Sequence, residues 1–239
     1  MGKDIFEKLM VHDVHQDLFR NIVSIRISQN LFDDLSDDPD ELAAAQQVES
    51  DVKPSNYQSR TPIIDRPFED AIWFNAIKWP FENKSHESRF SNGAFGVWYG
   101  CGSLETTVYE TVYHWVNGLL RNAGFDTESV VGERKAYTVA CEAALLDFRP
   151  ILDQYPDLSR KSDYSYPQMI GARLHREGHP GLITKSVRRP AGDNFVIFNP
   201  NVLSNPQSIC QLTYRFRGER VLVEREPGTT WMEINVNEF

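Results

Sequence analysis

The residues that could do chemistry cluster in two stretches. The first is SRFSNGAFGVWYGCGSLETTVYETVYHW, residues 88–115. Helical spacing from Leu104 onward puts Leu104, Val108, Val112, Trp115 and Leu119 on one apolar stripe and Glu110 nearly opposite it. The face around Glu110 holds Thr106, Tyr109, Tyr113 and Asn117, polar residues without the Lys and Glu that mark a solvated helix. Such a face is covered by something. A covered carboxylate can stabilise developing positive charge or orient an attacking group. Arg89, at the head of the same stretch, supplies a planar fork for phosphate or carboxylate. The second stretch is KSVRRPAGDN, residues 185–194, with three basic residues, Ser186 and Asn194 between two apolar runs. Loops of this kind offer guanidinium groups and backbone N–H groups to anions. Taken one at a time, Glu110 and Arg89 also fit ordinary solvated surface, and the basic loop also fits a plain connection.

Other chemistries have less in their favour. His12 with His15, and His175 with His179, are the histidine pairs with metal-ligand spacing, but Gly178 and Pro180 interrupt the second and no carboxylate or thiol cluster completes either. No metal is expected. There is no GxSxG elbow, no phosphate-binding P-loop and no GxGxxG after a strand. A net charge of −9 argues against sequence-independent binding to nucleic acid. Cys101, Cys141 and Cys210 are widely spaced, which suits reduced intracellular thiols. The charged start MGKDIFEKLMVHDVHQDLFR is no signal peptide, and no apolar run approaches the ~20 residues of a membrane span. The cytoplasm is the expected address.

The positioning elements follow from periodicity and punctuation. Residues 4–20 read as an amphipathic helix through Ile5, Leu9, Val14 and Leu18, and IVSIRIS (22–28) as a strand carrying Arg26. An acidic helix after Pro39 and a loop over VKPSNYQSRTP come next. RPFEDAIWFNAIKWPF (66–81) reads as a helix begun by Pro67 and stopped by Pro80. A turn at SNG leads to a strand from Ala94 to Tyr99, and Ser103 caps a helix from Leu104 to about Asn122. RKAYTVAC is a strand, and YPQMIGARLHREG is a helix with Pro167 in its first turn. The basic loop lies between two strands, CQLTYRFRGERVLVERE is a hairpin turning at 217–219, and TTWMEI adds a last strand. Strands mixed irregularly with helices indicate an α+β fold.

In order and spacing these segments resemble the RES domain, a family of toxins from bacterial toxin–antitoxin pairs that act on NAD. RFSNGAFGVWYG, opened by Arg89, is similar to the family's R-F-x-x-x-G-x-x-x-x-Y segment, with Tyr99 ten residues on. SLETTVYETV, which holds Glu110, is similar to its S-x-x-x-A-x-x-E helix, with Thr107 in place of the alanine. SVRRPAGDNFVIF, headed by Ser186, is similar to its S-x-R-x-x-G-G-x-N-x-V-x-F segment, with Ala191 in place of the first glycine. Arg26 resembles an arginine found earlier in the family, on the first strand. The likeness spans about residues 85–200, within one domain over 1–239. Residues 1–84 then form an N-terminal helical extension and insertion.

The resemblance implies a split, mostly antiparallel sheet flanked by helices, similar to ADP-ribosyltransferases of the diphtheria-toxin type. It also implies cleavage of the nicotinamide–ribose bond, with NAD as substrate. Arg89 and then Arg26 would grip the diphosphate, Tyr99 would stack on nicotinamide, and Glu110 would face the ribose. Ser186 would bond a ribose hydroxyl or phosphate, and Asn194 would fix the loop. Water, phosphate or a protein side chain would accept the ADP-ribosyl group. The implied partner is an Xre-like helix-turn-helix antitoxin, in multimeric assemblies. Two alternatives stand beside this: a nucleotide-binding module without turnover, and a metal-dependent nucleotide hydrolase using Glu105 and Glu110. Those two carboxylates lie five residues apart on the helix, about 140° around it.

Overall fold

The computed structural model describes residues 5–23, 70–82, 86–125 and 129–239. Three helices and eight strands make up the described architecture. Strands are β1 (Met10–Val23), β2 (Trp98–Cys101), β3 (Ser129–Asp147), β4 (Gly181–Lys185), β5 (Asp193–Ile197), β6 (Leu203–Arg217), β7 (Arg220–Glu226) and β8 (Thr229–Asn235). Helix α1 joins Asp70–Trp73, a π-form stretch Phe74–Lys78 and Trp79–Glu82. Helix α2 joins Leu104–Tyr113 to a π-form stretch His114–Leu120, and α3 is Ser165–Arg176. None of the described helices is long and apolar enough to cross a membrane.

The sheet runs in the order β1-β2-β5-β4-β3-β6-β7-β8, and β1 also pairs with β3. The β1–β3 pairing therefore closes the first five strands into a ring, and β6 to β8 extend from its β3 side. All pairings are antiparallel except β3 with β4, so the expected α+β class with a mostly antiparallel sheet and flanking helices is what the chain adopts. Each helix buries its apolar face on a different part of the sheet. Val108, Val112 and Val116 of α2 pack on Leu212, Tyr214 and Phe216 of β6. Ile170 and Leu174 of α3 pack with Leu182 and Val196, and Ala76 and Ile77 of α1 with Leu18 and Trp98.

Three local expectations fail. The helix expected over 4–20 does not form in its described part, 5–20: a short 3₁₀ turn, Ile5–Lys8, precedes the long strand β1. Val14 and Leu18 are buried there, and a spacing of four returns to the same face in a strand as nearly as in a helix. Fourteen register partners along β3, from Asp147 to Arg134, decided the matter. Thus the expected helical extension over 1–84 contains a strand of the main sheet. Pro80 does not stop α1, which continues to Glu82. The Trp79 N–H reaches back five residues to the Phe74 carbonyl, and this wider turn carries the chain into Pro80, which has no N–H to place. The strand expected from Ala94 forms only at Trp98. Ser91 Oγ bonds the Phe95 carbonyl at 2.7 Å and Gly93 takes φ 88°, so the chain is still turning there. The rest of the 22–28 strand, the helix after Pro39 and the loop at 52–62 lie outside the described residues.

Gly171 sets how closely α3 approaches the turn that carries Arg89, because a Cβ there would collide with the Phe90 carbonyl. Helix propensity alone makes Gly171→Ala a gain of about 1 kcal/mol. Overpacking against backbone costs about 1–3 kcal/mol, so the expected net result is loss of stability. Urea unfolding reads the sign, and a stabilised variant refutes this close packing.

Candidate active site

Strand alternation builds the floor of one cavity of about 530 Å³ from Phe19, Tyr99, Cys101, Thr184, Asn194 and Val196. One side is the polar face of α2, with Thr107, Glu110, Thr111, His114 and Asn117. The opposite side is the turn Glu87–Phe90, and Ser162, Tyr164 and Arg188 complete the rim. The helix begins where the sequence indicated, since Ser103 Oγ accepts the Thr106 N–H at 3.2 Å. Its uncharged face is covered partly by the cavity and partly by the basic loop: Thr106 is fully buried and accepts Arg189 Nη1 at 3.0 Å.

Glu110 is held from two other elements. Its Oε1 accepts Ser186 Oγ at 2.6 Å and Asn194 Nδ2 at 2.6 Å. The Ser186 hydroxyl in turn accepts the N–H groups of Arg188 at 3.2 Å and Arg189 at 2.9 Å. With its proton given to Glu110 and two N–H groups on its oxygen, this buried serine is a hub that orients the carboxylate. Glu105 lies off the cavity, so the two helix carboxylates do not converge.

Arg89 Nη1 donates to the carbonyls of Arg160 at 2.7 Å and Leu158 at 3.3 Å, and its guanidinium lies 4.6 Å from the Tyr164 ring centre. Burial lowers its pKa, opposed by Tyr164 and Glu110. Tyr99 holds the turn around it: its hydroxyl accepts the Phe90 N–H at 3.0 Å and donates to Ser88 Oγ at 2.9 Å. The phenol therefore ties down both neighbours of Arg89. Burial pushes its pKa up to about 12.

Tyr99→Phe keeps the ring at the cavity floor and removes this tie. The expected result is a higher KM with kcat nearly unchanged, and an equal fall of kcat would refute it. The variant also reads the pH dependence. An unfolded tyrosine ionises near pH 10, below the folded value of about 12. The stabilising contribution is thus complete below about pH 10 and lost as pH rises toward 12. Tyr99→Phe should soften this alkaline loss in melting curves between those values.

Of the residues marked in the sequence, Arg89, Tyr99, Glu110 and Asn194 line the cavity, and Ser186 sits directly behind Glu110. Arg26 lies outside the described residues. Strand β1 brings Arg20 to the cavity, with Nη1 on the Tyr99 carbonyl at 2.9 Å and its guanidinium 5.3 Å from the Trp98 ring. Burial lowers the Arg20 pKa to about 10. Reading residues 4–20 as a helix hid this side chain, which the strand puts in phase with the core residues Leu18 and Ile22. Arg188 was also missed individually. It is 7% exposed, lies 3.2 Å from the Tyr113 ring centre, and donates to the Lys161 carbonyl at 2.6 Å. The other basic side chains of its loop turn elsewhere, Arg189 to Thr106 and Lys185 to Asp193 at 2.7 Å. Three of the four paired histidines make other contacts. His15 meets Asp13, His175 stacks on Phe95, and His179 approaches Glu177.

A mostly antiparallel sheet with flanking helices, enclosing a cavity lined by one tethered carboxylate and by arginines, defines an α+β protein with a polar cavity. The family model of the RES domain matches residues 62–217, more than half of the chain, and the protein belongs to that family. The match leaves out β1 and so omits Arg20. Among solved structures, the M. tuberculosis MbcT–MbcA toxin–antitoxin complex is similar at 10% sequence identity, with a TM-score of 0.47 and coverage of 83% of this chain and 86% of that one. The comparison with curated proteins finds no match.

Proposed function

We propose that this RES-domain protein is the toxin of a toxin–antitoxin pair and cleaves the nicotinamide–ribose bond of NAD. The observation that carries this reading is the presence, around one cavity, of a tethered carboxylate, Glu110, with Arg89 and Arg188. A chain of net charge −9 that sets Arg89 and Arg188 on one cavity, with Arg20 buried beside it, is equipped for an anionic ligand. Among the described residues, four buried side-chain polar atoms lack partners, and three of them belong to cavity-lining residues: Arg20, Asn21 and Arg188. Such a cost, concentrated at one place, is what a polar ligand site carries. A volume of about 530 Å³ suits a ligand of dinucleotide size.

The chemistry follows from the bond to be broken. Nicotinamide leaves as a neutral ring, so its departure needs no proton, and positive charge develops on the ribose in an oxocarbenium-like transition state. Glu110 places a negative charge beside that sugar, held in advance by Ser186 and Asn194. Arg89 and Arg188 hold the diphosphate through charge-assisted hydrogen bonds. Tyr99 contributes a ring face at the cavity floor and keeps Arg89 in place. The acceptor is water, phosphate or a protein side chain. An Xre-like helix-turn-helix protein would restrain the activity in the cytoplasm, within a multimeric assembly.

The test is incubation of the purified protein with NAD, with and without phosphate, followed by mass spectrometry of the products. Release of nicotinamide is expected, and the ribosyl product identifies the acceptor. NAD left intact under all conditions, including extracts supplying protein acceptors, overturns the reading.

A further inference from the structure

The strand register sets Cys101 of β2 directly opposite Asn194 of β5, and both side chains face the cavity floor. The Cys101 thiol donates to Asn194 Oδ1, with sulfur and oxygen 3.2 Å apart. The other end of the same amide, Nδ2, donates to Glu110 Oε1 at 2.6 Å. Ser186 Oγ meets that same oxygen. Both donors therefore fall on Oε1, and Oε2 has no hydrogen-bond partner among the described residues. We infer that Cys101 is a positioning residue: through Asn194 its thiol fixes the Glu110 carboxylate so that Oε2 alone meets the substrate. This rests on the proposed reading of the cavity as an NAD-cleaving site.

The physical reason is the geometry of a planar amide. An asparagine bonded at one end only can swing about its side-chain torsions, and a partner at each end holds it in one pose. Burial and the nearby Glu110 charge push the Cys101 thiol well above its ordinary range, so it keeps its proton and remains a donor. A thiolate here would face the amide oxygen and undo the arrangement.

The test compares Cys101→Ala with Cys101→Ser. Alanine removes the γ atom and serine exchanges sulfur for the smaller oxygen, so only serine keeps a donor for Asn194 Oδ1. In NAD turnover, Cys101→Ala should lower kcat about fivefold to tenfold, the size of one neutral hydrogen bond withdrawn from the transition state, with KM changed less than about twofold. Cys101→Ser should recover most of that loss. A purely structural role predicts equal losses in both variants, and that result, or a KM change matching the kcat change, overturns the inference. A second readout needs no activity. The S–H stretching band of Cys101, isolated as the difference between the wild-type and Cys101→Ala infrared spectra, should move to higher frequency in Asn194→Leu. An unmoved band refutes the thiol–amide bond. Wild-type protein that leaves NAD intact brings down the functional reading and this role together. Normal wild-type turnover with equal Ala and Ser losses brings down this role alone.

Discussion

Glu110→Gln is expected to lower NAD turnover by a factor on the order of 10²–10³, the cost of losing one preorganised electrostatic group. The substitution keeps the shape and the fold. Gln retains an oxygen at the Oε1 position, able to accept both Ser186 Oγ and Asn194 Nδ2, as Glu110 does at 2.6 Å each. Its amide nitrogen takes the place of Oε2 and presents a neutral donor to the cavity in place of a negative charge. Thermal stability should stay within about ±0.5 kcal/mol, because Glu110 contributes no apolar packing and no network partner is orphaned. NAD binding should largely survive, since in the proposed reading the diphosphate is held by arginines elsewhere on the cavity wall. Growth arrest on expression should disappear with turnover. A single-turnover assay beside a melting curve decides the matter. A folded variant with full activity refutes the role given to this carboxylate.

Arg89→Ala is expected to raise KM for NAD by about 10- to 100-fold, corresponding to about 1.5–3 kcal/mol for hydrogen bonds from a charged donor. The loss falls on binding because the arginine grips a part of the ligand that does not react, equally in ground and transition states. Arg89→Lys should be impaired as well. The guanidinium reaches the Leu158 and Arg160 carbonyls while sitting over the Tyr164 ring, 4.6 Å from its centre. An ammonium provides neither the planar fork nor the stacking surface. Steady-state kinetics on protein verified as folded by circular dichroism test this. Unchanged KM in Arg89→Ala removes the residue from the site, and full rescue by lysine shows that charge alone suffices.

These outcomes bear on how far the chain could be read in one dimension. Glu110 was identifiable because its signal is local. Five apolar positions and one carboxylate on a helix of known period define opposite faces without any knowledge of the partner. The Ser103 cap and the turn at 217–219 were legible for the same reason, since each is a contest among a few adjacent residues. Arg20 and Arg188 were not legible as cavity-lining residues. Val14 and Leu18 fit a helix and a strand equally, and the choice was made by β3, more than a hundred residues away in sequence. Within KSVRRPAGDN, neighbouring residues of the same charge end in different places, because the carbonyl of Lys161 and the ring of Tyr113 receive Arg188 while Thr106 receives Arg189.

The sequence by itself determined the chemical inventory: which residue types are present, which helix face carries the carboxylate, and which family pattern the ordered motifs match. Only the tertiary structure decided how that inventory is used. It made Ser186 and Asn194 the two donors on one carboxylate oxygen and set Cys101 against Asn194. It also turned the Tyr99 hydroxyl into the tie that holds Arg89. The physical reason is range. Helix periodicity, capping and turns are settled by groups a few residues apart. A hydrogen bond between residues 76 or 84 positions apart, such as those that hold Glu110, exists only once sheet register and helix packing have brought distant backbone segments together.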